Sequence, residues 1–286
     1  MRTTTSLRNM LKTGKTVVAP GVYDGMSTRL VAKAGFAAAY ASGGAIARSN
    51  GIPDLGLLSL AEIAQRLEQI ADVADIPVIA DADNGYGNAL NAQRAAHAFE
   101  RAGVAAFHIE DQTFPKRCGH YADKSVEPVA EMVGKLKAVR DALHDPDFVV
   151  IARTDAIAVE GFDAAIGRCD AYVAAGADVA FLDAPTSEAQ IADIARRLPG
   201  WKLINMFQGG KTPLLPVARL HELGFNIVII PSDLQRAAIK AMQRTLAAIA
   251  HDGSSAKVLG DLAGFDERET LVATAAFLER GKRYAP

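Results

Sequence analysis

The chain predicts a single α/β domain closed as an eight-stranded (β/α)8 barrel, and three observations carry that prediction. Eight short apolar runs recur along the sequence, with helix-patterned stretches between most of them. The runs are apolar on both faces, as strands of a helix-covered parallel sheet must be. Four helix-to-strand returns share one punctuation: Ala34-Gly35-Phe36, Ala102-Gly103-Val104, Ala175-Gly176-Ala177 and Leu223-Gly224-Phe225. A glycine there takes the left-handed C-cap conformation with no Cβ penalty and turns the chain into the next strand. Barrel closure is the simplest arrangement of eight such strands.

In order, the predicted strands are 16–19, 37–41, 77–80, 105–109, 148–152, 179–182, 202–204 and 226–230. Between the third and fourth, Leu90, Ala95, Ala98 and Phe99 share one face while Asn91, Arg94 and Glu100 point elsewhere, which is helical spacing. The segment 43–59 reads as a long loop, broken by Gly51, Pro53 and Gly56. Cys169 lies among alanines in a helical stretch and reads as a small buried side chain. After Gly253 two more helical segments, 255–262 and 266–280, follow the eighth strand and its helix. Nothing marks a linker, so residues 1–286 read as one barrel domain with 253–286 as a C-terminal helical appendage, packed on this barrel or on a neighbouring subunit.

The 286 residues are 50% hydrophobic and 22% charged, which excludes a disordered chain. No apolar run approaches the ~20 residues of a membrane helix, and the start of the chain has no apolar stretch to make a signal peptide. A formal net charge of −2 argues against a broad electrostatic grip on nucleic acid or membrane. Two cysteines, Cys118 and Cys169, allow at most one bridge, so a reducing, cytoplasmic setting is the default.

In a barrel of this kind the loops after the strands form the active face. The strand ends carry Tyr40 and Ser42, Asp81 and Asp83, Glu110 and Asp111, Arg153 and Asp155, Asp183, Asn205 and Ser232. Asp81 and Asp83, at i and i+2, point to one side of an extended chain. Paired carboxylates repel unless they share a cation or a proton, and Mg2+ characteristically takes one or two of them plus water and substrate oxygens. Glu110 and Asp111 could add support through water. The competing reading is a polar turn that caps the next helix. In Lys116-Arg117-Cys118-Gly119-His120 two cations and an imidazole favour the thiolate, so Cys118 could serve as a nucleophile or a general acid/base; a basic surface loop with an incidental cysteine is the alternative. Cys/His spacing of a zinc site is missing there. Arg153 suits a substrate carboxylate in bidentate fashion or a salt bridge to Asp155. Ser42-Gly43-Gly44 offers backbone N–H groups to an anion, and Gly209-Gly210-Lys211-Thr212 lacks the upstream glycine of a phosphate loop. His108 reads as a hydrogen-bonded barrel residue, and His97, His144, His221 and His251 as helix or surface residues.

Together these stretches resemble the isocitrate lyase and phosphoenolpyruvate mutase superfamily, and within it the short-lyase branch of methylisocitrate, dimethylmalate and petal-death-type proteins. The matching segments are Pro20-Gly-Val-Tyr-Asp-Gly, Tyr40-Ala-Ser-Gly-Gly, Asp81-Ala-Asp-Asn-Gly-Tyr-Gly, His108-Ile-Glu-Asp-Gln, Lys116-Arg-Cys-Gly-His, Ile151-Ala-Arg-Thr-Asp-Ala and Asn205-Met-Phe-Gln-Gly-Gly-Lys-Thr-Pro. The resemblance implies a barrel whose last helix swaps into a neighbour within a homotetramer, a dimer of helix-swapped dimers. It implies Mg2+, or Mn2+ in its place, at Asp81, Asp83 and Glu110. It implies that Ser42, Gly43, Gly44, Asp54, Lys116, Arg117, Gly119, His120, Asp183 and Asn205 bind substrate, with Cys118, Arg153 and Tyr40 catalytic and Cys118 on a mobile closing loop. The implied activity is cleavage of a 2-hydroxy dicarboxylate of the 2-methylisocitrate or 2-alkylmalate type to pyruvate or glyoxylate plus a second carboxylate, through an enediolate. Oxaloacetate hydrolysis or decarboxylation, or phosphonate mutation, is the alternative inside the superfamily. The chain departs from the family pattern at two acids: Asp183 stands where methylisocitrate lyases carry glutamate, and Gln208 where glutamate is common. The first shortens a carboxylate by one methylene and the second removes a charge.

Overall fold

The computed structural model describes residues 1–116 and 124–284. Arg117, Cys118, Gly119 and His120 lie outside the described residues. Helix α1 (Thr3–Lys12) precedes strand β1 (Val17–Val22), and α2 (Gly25–Lys33) leads to β2 (Ala39–Ala41). Two helices, α3 (Gly43–Ser49) and α4 (Leu60–Asp72), separate β2 from β3 (Val78–Asp81). Then α5 (Ala89–Arg101), β4 (Ala106–Glu110), α6 (Val129–Ala142), β5 (Val149–Thr154), α7 (Phe162–Ala174), β6 (Val179–Leu182), α8 (Glu188–Arg197), β7 (Trp201–Asn205), α9 (Val217–Glu222) and β8 (Ile227–Ile230) alternate strictly. Helices α10 (Asp233–Asp252), α11 (Phe265–Leu271) and α12 (Thr274–Lys282) end the chain. The strands run parallel, pair in sequence order and close into a barrel through β1 and β8.

The expected C-cap glycines turn the chain with positive φ: 84° at Gly35, 86° at Gly103, 112° at Gly176 and 87° at Gly224. Inside the barrel Tyr40, Ile79, Ile151, Phe181, Leu203 and Ile229 pack as one cluster. Leu7 and Leu11 of α1 join that cluster and are fully buried, so α1 plugs the end of the barrel opposite the mouth. Arg8 fixes the plug by donating to the backbone oxygens of Asp147 and Phe148 and by pairing with Asp178 at 3.1 Å. The remaining core lies between strands and helices, where Cys169 is buried as expected.

Two expectations need correction. The segment 43–59 is not all loop: it holds α3, whose N-cap is Ser42, the hydroxyl accepting the Ala45 N–H. Its Gly-Gly start has poor helix propensity, which hid it. The segment 266–280 is two helices broken at Ala273, which sits in the left-handed region at φ 57°. The segment 255–262 is a 3-10 helix over Ala256–Asp261. Of the 20 residues of α10 only Gln235 is buried. No described helix is long and apolar enough to cross a membrane.

Candidate active site

The ends of β2 to β8 converge on one cavity at the barrel mouth. It is lined by Tyr40, Ser42, Gly44, Asp54, Asp81, Glu110, Lys116, Arg153, Asp183, Asn205 and Ser232, with Arg48, Phe207 and Pro231 completing the wall. Asp83 stands just behind, against a smaller recess shared with Gly43, Asp54 and Asp81.

Arg153 is the hub. It lies at the C-terminal end of β5, as expected. Its guanidinium meets Asp155 in a two-point contact (Nε to Oδ2 2.8 Å, Nη2 to Oδ1 3.1 Å), Asp183 Oδ2 at 3.1 Å and Glu110 Oε2 at 3.3 Å. The guanidinium also lies over the Phe181 ring, 5.3 Å from its centroid. Both the salt bridge to Asp155 and a face toward the cavity are therefore realised. Lys116, buried, bridges Asp54 at 2.5 Å and Asp83 at 2.6 Å. On the far side Lys124 reaches Asp155 Oδ1 at 2.6 Å.

Asp81 ends β3, and Asp83 follows in the left-handed region at φ 46°. The extended alternation expected to bring the two side chains together therefore does not operate. A turn does it instead, in which the Asp83 N–H donates to Asp81 Oδ1 at 3.0 Å. Asp81 packs against α3 because residue 43 is glycine: a Cβ there would stand 2.7 Å from Asp81 Oδ2. Beneath it the Tyr40 hydroxyl lies 3.3 Å from Asp81 Oδ2 and 2.8 Å from His108 Nε2. Burial lowers the His108 pKa to about 4, against the pull of Asp81, so the imidazole is neutral. Burial and Asp81 push the Tyr40 phenol well up, so it keeps its proton and acts as a hydrogen-bond donor. His108 is thus a barrel residue that supports Tyr40, as its place in the strand suggested.

Asp111, expected to support an ion through water, points away from the cavity. Its carboxylate accepts from the hydroxyls of Thr154 (2.6 Å) and Tyr172 (2.8 Å) and from the Asp155 N–H (3.0 Å), and pairs with Arg168 at 3.2 Å. It ties the end of β5 to α7. Gln208 is exposed and borders a separate groove with Asp233 and Arg236, so the charge missing there does not reach the mouth.

Charge at the mouth is unbalanced. Six carboxylates, of Asp54, Asp81, Asp83, Glu110, Asp155 and Asp183, face three buried cations among the described residues, Lys116, Lys124 and Arg153. Burial, and repulsion from Asp155 and Asp81, push the Glu110 pKa well above its usual range despite Arg153. Burial and the neighbouring Asp81 push Asp83 up to about 6, against Lys116. Asp81 stays below the usual range: burial opposes ionisation, but the charges of Lys116 and Arg153 and the Asp83 N–H outweigh it. Glu110 Oε1, Asp183 Oδ1, Asn205 Oδ1 and Ser232 Oγ are buried without a hydrogen-bond partner among the described residues. Buried polar atoms of this kind ask for a ligand. An all-oxygen donor set in which two carboxylates resist ionisation fits a hard divalent cation. Lys124, Arg48 and Phe207 were not picked out from the sequence. A lysine beyond a polar loop and an arginine in an unrecognised helix carry no distinguishing pattern.

The family profile described as phosphoenolpyruvate phosphomutase matches residues 7–250. The 2,3-dimethylmalate lyase of Eubacterium barkeri is 42% identical over 286 residues, covering 100% of this chain and 99% of the relative. A crystal structure of a 2,3-dimethylmalate lyase superposes with a TM-score of 0.94 at 36% identity, covering 99% of this chain and 95% of the other. The 2-methylisocitrate lyase of Bacillus subtilis (strain 168) is 42% identical over 260 residues, 91% of this chain and 85% of the relative. A phosphonopyruvate hydrolase solved with oxalate and Mg2+ has a TM-score of 0.91 at 31% identity, covering 99% of each chain.

Proposed function

The chain belongs to the phosphoenolpyruvate phosphomutase family, and on that premise we propose that it is a carbon–carbon lyase acting on a 2-hydroxy dicarboxylate of the 2-alkylmalate or 2-methylisocitrate type. The observation that carries this reading is the end-to-end match to 2,3-dimethylmalate lyase, 42% identical over 286 residues. The products are a 2-oxo acid, pyruvate or glyoxylate, and a second carboxylate.

Asp81, Asp83 and Glu110 would hold Mg2+, with Mn2+ as a substitute. When bound, the ion supplies Lewis-acid stabilisation of negative charge on substrate oxygens. The protein's own groups do the rest. Arg153, already oriented by Asp155 and Asp183, presents its charge to a substrate carboxylate. Ser42, and Asn205 Oδ1 and Ser232 Oγ, which have no hydrogen-bond partner among the described residues, orient substrate in this reading. A general base at the mouth takes the proton of the C2 hydroxyl as the adjacent C–C bond breaks, the hydroxyl carbon becomes the carbonyl of the 2-oxo acid, and the electron pair of the broken bond moves into the departing carboxylate to form an enediolate. Arg153 stabilises that dianion electrostatically, and the neutral Tyr40 phenol adds a hydrogen bond. Cys118, acting as the thiol, then protonates the carbanion centre. The exposed apolar side chains of α10 to α12 support assembly as a homotetramer of helix-swapped dimers, and the cytoplasm is the compartment this chemistry suits.

The test is a product assay over C4 to C7 hydroxy diacids that detects pyruvate and glyoxylate separately. One substrate is expected to release a 2-oxo acid and a carboxylate in equal amounts. No cleavage across the panel, with oxaloacetate instead yielding oxalate and acetate, would overturn the lyase reading. In single turnovers C118A and C118S should lose about 10²- to 10⁴-fold in rate, as removal of a proton donor does. Chelation of the metal by EDTA should abolish turnover, and added Mg2+ should restore it.

A further inference from the structure

At the end of the barrel opposite the mouth, α5 places His97 and Glu100 three residues apart, on one face of the helix. The turn between α6 and β5 brings His144 against them. The two imidazole rings lie 5.3 Å apart between centroids, tilted by 35°. Glu100 is held rigidly. Its Oε1 accepts the backbone N–H groups of His144 at 2.9 Å and Asp145 at 2.7 Å, which leaves Oε2 facing the rings, 3.0 Å from His144 Nδ1. One ligand atom from each of the three side chains lies within 4.8 Å of the others.

We propose that His97, Glu100 and His144 form a binding site for a borderline divalent transition-metal ion, Zn2+ in the first instance, separate from the mouth. Bonds of ~2.0–2.2 Å put tetrahedral ligands about 3.4 Å apart, which small rotations of two imidazoles achieve from here. Two imidazole nitrogens and a carboxylate oxygen select Zn2+, Co2+ or Ni2+ over Mg2+. A carboxylate whose other oxygen is fixed by backbone N–H groups is the arrangement that orients metal ligands. His144 is on the surface, its side chain 79% exposed, so water completes the coordination. The role is structural. The same turn receives α1, through Thr4 to Asp145 at 2.7 Å and Thr5 to Asp147 at 2.6 Å. An ion there staples α5 to the turn on which the barrel plug is seated. This site does not depend on the lyase reading.

The experiment titrates Zn2+ into the full chain in millimolar Mg2+, which occupies the all-oxygen site, and follows binding by calorimetry and thermal unfolding. The wild-type chain is expected to bind Zn2+ at a site that H97A and H144A each weaken by at least the ~10-fold that loss of a mere supporting partner costs. Zn2+ should raise the unfolding midpoint of the wild type and not that of H97A. Both substitutions remove surface side chains and leave the backbone bonds to Glu100 in place, and circular dichroism checks that the fold is kept. Absence of Zn2+ binding under Mg2+, or binding of equal affinity in the wild type, H97A and H144A, would overturn the proposal.

Discussion

Asp155 is held between two cations, Arg153 and Lys124. Burial by itself would raise its pKa, but Arg153 and Lys124 outweigh burial and hold the carboxyl well below its usual range. For an acid depressed in this way, the stabilisation is complete above the unfolded value, ~4 for aspartate. It is lost only as pH falls through the lower folded value. D155N removes the two-point contact to Arg153 and the charged partner at 2.6 Å from Lys124, while Arg153 keeps Asp183 and Glu110, so the cost is that of charge-assisted hydrogen bonds, about 1.5–3 kcal/mol. Urea unfolding at pH 7 should show that loss. The gap to wild type should persist at pH 5 and narrow only in strong acid. Gly43 sets a second sharp limit. G43A would bring a Cβ to 2.7 Å from Asp81 Oδ2, so the carboxylate must shift, and calorimetry should show weaker Mg2+ binding with little change in unfolding midpoint. Much of this site was legible in the sequence, because strand-end acids have few uses in a barrel. Tyr40, Asp81, Glu110, Arg153, Asp183 and Asn205 do gather at one cavity. The misreadings came from local backbone geometry. Asp83 joins Asp81 through a left-handed turn rather than strand alternation, and Asp111, one residue beyond Glu110, falls on the opposite face of the sheet and serves α7.

The loop after β3 shows why a correct list of acids does not yet make a site. Its Asp83 has φ 46°, a conformation that costs a non-glycine residue and has to be maintained by its surroundings. Two restraints do so. The Glu110 N–H donates to the Asp83 carbonyl at 2.9 Å. From α6, the buried Lys135 donates to the Asn84 carbonyl at 2.9 Å and pairs with Glu127 at 2.7 Å. Glu127 in turn donates its N–H to the Asp111 carbonyl at 2.8 Å. Lys135 therefore clamps the acidic turn to the segment entering α6. K135M keeps the aliphatic stem, strands Glu127 and the Asn84 carbonyl, and should cost about 3 kcal/mol in urea unfolding. It should also weaken Mg2+ binding by about 10-fold, the usual effect of losing a ligand-orienting partner. Survival of wild-type Mg2+ affinity in K135M would show that the turn holds its shape without the clamp. Sequence reading passes over such a lysine because lysines are seldom fully buried. It passed over α3 for a related reason: Gly43 and Gly44 weaken the helical signal while being needed for the approach of Asp81 and Asp54.

The barrel itself is legible because its βα units announce themselves locally, by eight apolar runs, periodic stretches between most of them and four glycine returns. The C-terminal appendage has no such local answer, since what it packs against is not written in its own pattern. Helix α10 has 20 residues, about 30 Å of helix, and its Met242, Leu246 and Ile249 are exposed. Beyond it Phe265, Phe277 and Leu278 are exposed as well. So many large apolar side chains left to water on one terminal arm point to a contact surface. An isolated chain would carry an apolar arm with nothing to cover it. The assembled state should therefore dominate in solution, and sedimentation velocity should give a species of four chains at micromolar concentration. Charges introduced into the arm test whether it forms the contact. L246E together with L278E should lower the sedimenting mass while the barrel keeps its circular dichroism, because neither side chain contributes to the barrel core. A wild-type protein that sediments as a single chain would refute the arm's role in assembly. A double variant that still sediments as four chains would place the contact elsewhere on the barrel.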